Sequence, residues 1–287
     1  MESPANFYDG LAATYHALFD DWCAAAQWHG GVVAALLAAR GVNPPASLLD
    51  CTCGIGTQAL PLSAMGYRVT GMDISAQAVA RADSEARARQ LPVRLEVADV
   101  RVVDQVIRER QFDAVISCDN ALPHLLTDAD LSLALRSVRR SLRDGGVFLA
   151  SIRDYDALEA ARPPGTPISM HGPQGRRYGS GQVWAWSPDG AYVDIRLFVL
   201  REEVPGPRWG VSAHSTTYRT LRRAELTSAL NASGFSSVEW LSALDAAPGR
   251  LLGRPAARFG GVQVRRRAVR AAVVGWACGS PRGHRCR

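Results

Sequence analysis

Asp73 ends an apolar run, Gly71-Met72-Asp73-Ile74, nineteen positions after Gly54 in the turn Cys53-Gly54-Ile55-Gly56-Thr57. A carboxylate at a strand end can accept hydrogen bonds from the hydroxyls of a ribose. A glycine turn that closes a strand and opens a helix lets backbone approach a ligand and aims a helix N-terminus at it. Together they point to a nucleotide-type ligand. A second acid, Asp99 in Ala98-Asp99-Val100, follows the next apolar run, where it can meet an adenine amino group. The loop Asp119-Asn120-Ala121-Leu122-Pro123-His124-Leu125 follows the run after that, where substrate sites of open α/β sheets lie.

A glycine turn alone does not distinguish NAD, FAD and S-adenosylmethionine. The turn here lacks the third glycine that a nicotinamide-binding fingerprint places two residues further on. Cys51-x-Cys53 lies inside this turn with no second ligand pair at zinc spacing, so no metal centre is expected.

The elements that must hold these groups alternate. Strands are expected at Ser47–Cys51, Arg68–Met72, Val93–Val97, Ala114–Ser117 and Val147–Ser151, with helices near Thr57–Met65, Ser75–Arg89, Val102–Arg110 and Asp128–Leu142. This rhythm predicts an α/β fold, a Rossmann-like doubly wound and mostly parallel sheet with helices on both faces. Before it, an aromatic amphipathic stretch from Asn6 to Trp28 reads as one helix, and Gly31–Arg40 as a second, together an N-terminal cap over 6–40. After Tyr155 the rhythm breaks. Arg162–Pro167 reads as a loop. Gln182–Trp186, the turn Ser187-Pro188-Asp189-Gly190 and Tyr192–Leu200 read as a hairpin, and Gly210–Tyr218 as a third strand. This antiparallel insert, about residues 160–218, is expected over the carboxyl ends of the parallel strands. A helix at Arg222–Asn231 and a strand around Val238–Leu241 follow.

No run of about 18 apolar residues is present, so no membrane span is expected, and no secretory signal is visible. Six irregularly spaced cysteines do not make a disulfide framework, and a reduced, cytoplasmic location is the expectation. The net charge of +6 is concentrated. Residues 248–287 hold ten arginines and no acid, and the rest of the chain without them stands at −4. A nucleic-acid role would rest on this tail alone. The body, residues 1–247, is read as one domain. The tail is expected to be disordered or to come from a shifted reading frame, although it contains one short apolar run, Ala271–Trp276. A domain of this kind should close with a strand beside the sheet, and no such strand is evident.

With these motifs in order, the chain resembles class I S-adenosylmethionine-dependent methyltransferases, and within them the glycine/sarcosine N-methyltransferase-like group. The likeness spans roughly residues 6–245. It rests on Asp50–Thr57, Asp73, Asp99, Cys118–Leu125, Ser151-Ile152-Arg153-Asp154-Tyr155-Asp156 and Tyr218–Leu226. The resemblance implies S-adenosylmethionine as cofactor. Asp50, Cys53, Gly54, Gly56 and Thr57 would lie at its amino-acid end. Asp73 and Ile74 would lie at the ribose, Asp99 and Val100 at the adenine, and Cys118, His124 and Tyr8 along the wall. Asn120 and Arg153 would meet the acceptor, Arg153 gripping a carboxylate unless it pairs locally with Asp154 or Asp156. Tyr8 or Tyr15 would close over the reacting groups, Tyr15 being counted with the catalytic residues. The implied acceptor is a small amine or amino acid. A larger natural-product amine or hydroxyl is the alternative, and a nicotinamide-dependent oxidoreductase a remoter one.

Overall fold

The computed structural model describes residues 2–107, 111–172, 177–203, 208–242 and 270–276. Five strands run where the apolar runs predict them. They are β1 (Ser47–Asp50), β2 (Arg68–Asp73), β3 (Arg94–Val97), β4 (Phe112–Ser117) and β5 (Leu142–Arg153). Two more join them, β10 (Ser237–Ser242) and β11 (Arg270–Trp276). The sheet order is β10-β11-β5-β4-β1-β2-β3, and every neighbouring pair is parallel. Because parallel strands are covered on both faces, their side chains divide between two cores. Leu49, Val115, Phe148 and Val273 enter one; Leu48, Ile116, Leu149 and Val274 enter the other.

Helices with side-chain caps return the chain between strands. Ser75 Oγ accepts from Ala78 N at the start of α4 (Ala76–Ala88), and Thr127 Oγ1 from Asp130 N at α6 (Asp128–Ser141). The short α3 (Ala59–Ala64) follows the glycine turn, and α5 (Val103–Val106) precedes β4. Residues 108–110 of the helix expected at Val102–Arg110 lie outside the described residues.

The N-terminal cap differs from expectation. It starts with α1 (Pro4–Leu11), capped by Ser3, passes through one 3-10 turn (Tyr15–Leu18), and continues in α2 (Trp22–Ala38), capped by Asp21. The break falls at Ala12–Asp21 and not at Gly30-Gly31, which lie inside α2. Two good N-caps, Ser3 and Asp21, decide the segmentation.

After α7 (Tyr155–Ala161), four strands form a separate antiparallel sheet: β6 (Gly165–His171), β7 (Tyr178–Trp186), β8 (Tyr192–Glu203) and β9 (Arg208–Arg219). The segment read as a loop at Arg162–Pro167 supplies the start of β6. The inner face of this sheet covers α7 through Trp184, Val193 and Ile195, and α1 with the 3-10 turn through Leu197 and Val199. The chain then passes through α8 (Arg223–Ala232) to β10.

β11 corrects the reading of the tail. Its residues pair with β5 on one side and β10 on the other, and Ala271, Ala272, Val273 and Val274 are buried. Seven residues of a segment expected to be disordered thus pair as a strand within the sheet. The rest of the tail, 248–269 and 277–287, lies outside the described residues.

Candidate active site

A cavity of about 520 Å³ opens at the carboxyl ends of β1, β2 and β4, with residues of α1 and Tyr15 on its outer side. Its floor is the turn after β1. Gly54 there has φ +53°, and a Cβ on it would meet nothing within 4 Å, so the backbone conformation, not space, calls for glycine. Asp73, at the end of β2, reaches across this turn. One of its oxygens accepts the Gly54 N–H at 2.9 Å and the other the Ser75 N–H at 2.9 Å. Burial pushes the carboxyl upward, opposed by these N–H groups, which favour its charged form. Each oxygen keeps a lone pair for a further donor. Cys53, Thr57 and Ile74 line the same region, and burial holds the Cys53 and Cys118 thiols far above their ordinary range.

At the far end Asp99 and Val100 are on the wall. Asp99 is already engaged: Arg101 binds both its carboxylate oxygens and reaches Asp130 at 2.6 Å, so the acid at this end forms part of an Asp-Arg-Asp bridge.

Between the ends stand the aromatic groups. The Tyr8 hydroxyl of α1 lies 3.0 Å from His124 Nε2, and Thr216 Oγ1 of β9 lies 3.4 Å from His124 Nδ1. The Tyr218 ring lies against the imidazole, 4.4 Å between centroids and tilted by 49°. Burial, and then the Arg153 charge, lower the His124 pKa to about 3, so the imidazole is neutral at physiological pH. Tyr15 is on the wall, and burial together with the Asp119 carboxylate push its phenol above the ordinary tyrosine range.

Four expected site residues do not line the cavity. Asp50 is fully buried under the turn, with Oδ1 accepting the Thr52 N–H at 3.4 Å and Oδ2 without a partner among the described residues; burial pushes its carboxyl well up. Gly56 (φ +92°) shapes the turn from behind, where a Cβ would strike Leu60 at 2.7 Å. Asn120 is buried with both ends of its amide committed. Its Nδ2 donates to the Tyr155 hydroxyl at 3.0 Å, and its Oδ1 accepts the Arg153 backbone N–H at 3.0 Å. The Arg153 guanidinium lies 5.0 Å from the Trp184 ring and 5.4 Å from the Tyr218 ring, the latter ring packing on His124 of the wall. Nη2 donates to Gln182 Oε1 at 3.4 Å, and Nη1 is buried without a partner among the described residues. The local pairing with Asp154 or Asp156 is not formed, because Arg223 takes both acids.

The sequence reading missed Gln58, Arg101 and Asp119. Gln58 follows the glycine turn directly, and Asp119 stands inside the motif that flagged Asn120. Arg101 could have been found from its i, i+2 spacing to Asp99. No described residue of the antiparallel insert lines the cavity; the insert reaches its wall through Thr216 and Tyr218 beside His124.

Comparison with known proteins bears on the domain and the fold. Residues 48–146 match a methyltransferase domain family. The chain is 29% identical over 164 residues to the putative methyltransferase YqeM of Bacillus subtilis (strain 168), covering 55% of this chain and 60% of that protein. It is 33% identical over 138 residues to the glycine/sarcosine N-methyltransferase of Parasynechococcus marenigrum (strain WH8102), covering 48% of each. These matches span about half the length of the curated relatives. The CcbJ methyltransferase of Streptomyces caelestis has a similar fold, with a TM-score of 0.64, 20% identity, and coverage of 82% of this chain and 88% of that one. Residues 48–146 thus carry the match to a methyltransferase domain, and S-adenosylmethionine is the cofactor that goes with domains of this kind.

Proposed function

We propose that this protein is an S-adenosylmethionine-dependent methyltransferase acting on the nitrogen of a small, amino-acid-like acceptor of the glycine or sarcosine kind. The residues present fit the cofactor. Asp73, fixed by two backbone N–H groups, keeps lone pairs for the ribose hydroxyls. The open backbone at Gly54 suits the amino-acid end, and Val100 with the Asp99-Arg101-Asp130 bridge suits the adenine. His124, held neutral, adds no positive charge beside a cationic ligand. When bound, the cofactor supplies a methyl group already activated on a sulfonium, which leaves alignment and exclusion of water to the protein. Tyr8 and Tyr15 would cover that region, with α1 tied down by Asp9, which accepts from Ser75 Oγ and the Gln77 N–H.

The observation that carries the acceptor class is Arg153. A buried guanidinium nitrogen with no acceptor among the described residues suits an anionic partner, and an acceptor carboxylate would satisfy it. Asn120, on this reading, positions Arg153 through its backbone rather than touching the acceptor. The 33% identical relative, a glycine/sarcosine N-methyltransferase, supports the same class.

The test is a methyl-acceptor screen with glycine, sarcosine, dimethylglycine and larger amines and alcohols, alongside calorimetry with S-adenosylhomocysteine. Arg153→Ala is expected to raise KM for sarcosine on the order of 10- to 100-fold, as loss of a charged hydrogen bond does, and to leave S-adenosylhomocysteine affinity unchanged. Turnover of the larger acceptors alone would establish the alternative, and an unchanged KM would remove the clamp.

A further inference from the structure

Asp119 has no part in the reading above, yet its carboxylate stands on the cavity wall. It and Asn120 are consecutive residues in the left-handed region, at φ +57° and +67°. Side chains other than glycine seldom take this conformation, and two in succession need outside support, a pattern found at functional sites. The support comes from β5. Ser151 Oγ accepts the Asp119 N–H at 2.8 Å, and the Ser151 carbonyl accepts the Asn120 N–H at 3.1 Å.

The carboxylate so placed takes one side-chain hydrogen bond and stands within ion-pair range of one imidazole. Gln58 Nε2 donates to Oδ2 at 2.9 Å, while His29 Nδ1 lies 3.7 Å from Oδ1, beyond hydrogen-bond length. The other wall acids are committed: Asp99 and Asp130 share Arg101, and Asp73 caps two backbone N–H groups. Among the described residues Asp119 is the wall acid with neither a guanidinium partner nor a pair of backbone donors on its oxygens. Its neighbourhood also has opposite poles. Tyr15 feels the negative charge of Asp119 and the positive charge of Arg153, and Asn120 joins the two residues through the Arg153 backbone.

We propose that Asp119 receives the amine nitrogen of the acceptor, its Oδ1 accepting an acceptor N–H while Arg153 takes the acceptor carboxylate. The proposal rests on the amino-acid-like acceptor inferred above, and it adds the second anchor that a zwitterion needs. It also gives Asp119 a part in the chemistry. The neutral amine donates its lone pair to a new N–C bond while the C–S pair stays with sulfur. Nitrogen therefore becomes cationic with no proton gained. A carboxylate accepting an N–H of that nitrogen gains strength as the charge grows, and so favours the transition state over the ground state.

Asp119→Asn tests this with the intact chain, because Asn tolerates the left-handed φ and keeps an oxygen for Gln58. With sarcosine as the probe, kcat is expected to fall on the order of 100-fold, the scale of losing a charge-stabilising group. S-adenosylhomocysteine affinity and the melting temperature are expected to match wild type, with Asp73→Ala as the control that weakens S-adenosylhomocysteine binding. Asp119→Glu is expected to restore part of kcat. Wild-type kcat in Asp119→Asn would overturn the assignment and leave the acceptor class standing. A matched loss of S-adenosylhomocysteine affinity would overturn it by moving Asp119 to the cofactor. Failure of the wild-type protein to methylate sarcosine would overturn the acceptor class, and this assignment with it.

Discussion

The buried imidazole of His124 ties protonation to folding at the level of single residues. Folded, His124 stays neutral down to a pH of about 3; unfolded, it takes a proton near its ordinary 6.5. Unfolding between these values therefore takes up a proton. Stability rises with pH across the window and is lost as pH falls through it, by about 1.4 kcal/mol per unit at most. Asp50 acts with the opposite sign, since a raised carboxyl loses its contribution as pH climbs above 3.8. Comparing a variant with wild type isolates the histidine. His124→Gln, which keeps an acceptor for the Tyr8 hydroxyl, should show a shallower fall in denaturant-measured stability from pH 6.5 to 4.5. Parallel slopes would place His124 outside the linkage. At this scale the sequence was informative where a residue's role depends on its place on the strand ladder. Asp73 and Asp99 line the cavity because Asp73 ends β2 and Asp99 follows β3 by two residues, at the carboxyl ends of parallel strands. It was misleading where the role depends on which way a loop side chain turns. Asp119 and Asn120 are adjacent and both polar, yet two left-handed residues send the carboxylate to the wall and the amide into the core. No spacing rule encodes that choice.

Among the elements, α2 shows how neighbouring glycines can differ. Gly30 and Gly31 read as a helix break, but the helix continues through them from the Asp21 cap to Ala38. The reason for Gly30 is tertiary: a Cβ there would lie 2.6 Å from Pro61 Cγ and 2.7 Å from Pro61 Cβ, where α2 packs on α3. At Gly31 a Cβ would meet nothing within 4 Å. Opposite outcomes follow for the same substitution. Gly30→Ala overpacks a rigid ring and should cost about 1–3 kcal/mol, whereas Gly31→Ala removes backbone freedom from a helix interior and should stabilise by about 0.5–1 kcal/mol. Thermal melts of the two single variants check this, and a shift of the same sign in both would refute the close helix contact. The contact was hidden because Pro61 is 31 positions downstream, and propensity acts within a segment. The strands at 47–151, by contrast, were legible, since each carries its own unbroken apolar run between turns.

Over the whole molecule, the decisive element comes from the least promising composition. Arg270–Trp276 lies among arginines, yet it occupies an interior position of the large sheet, with β5 and β10 on either side. Its apolar run was visible as Ala271–Trp276, but a buried parallel strand carries no alternation to mark it, and basic flanks argued for a solvated tail. Register supplies the missing information: Val273 faces the core shared with Phe148 and Leu226, and Val274 the core shared with Leu149 and Leu36. A chain ending at residue 247 would lose contributions to both cores and leave facing edges of β5 and β10 unpaired. We expect that truncated chain to be aggregation-prone and to lack a cooperative thermal transition. Val273→Asp in the full chain should behave similarly, since an unpaired charge in a sealed core is among the most destabilising single changes. Truncation also removes every tail arginine, so the comparison must separate charge from strand. Replacing Arg265, Arg266 and Arg267 together by Gln removes three of the ten charges and leaves β11 intact. If that variant melts as wild type while Val273→Asp does not, the strand, not the basic charge, explains why the tail is needed. A 247-residue chain with an undiminished melting temperature would mean that the sheet closes without it.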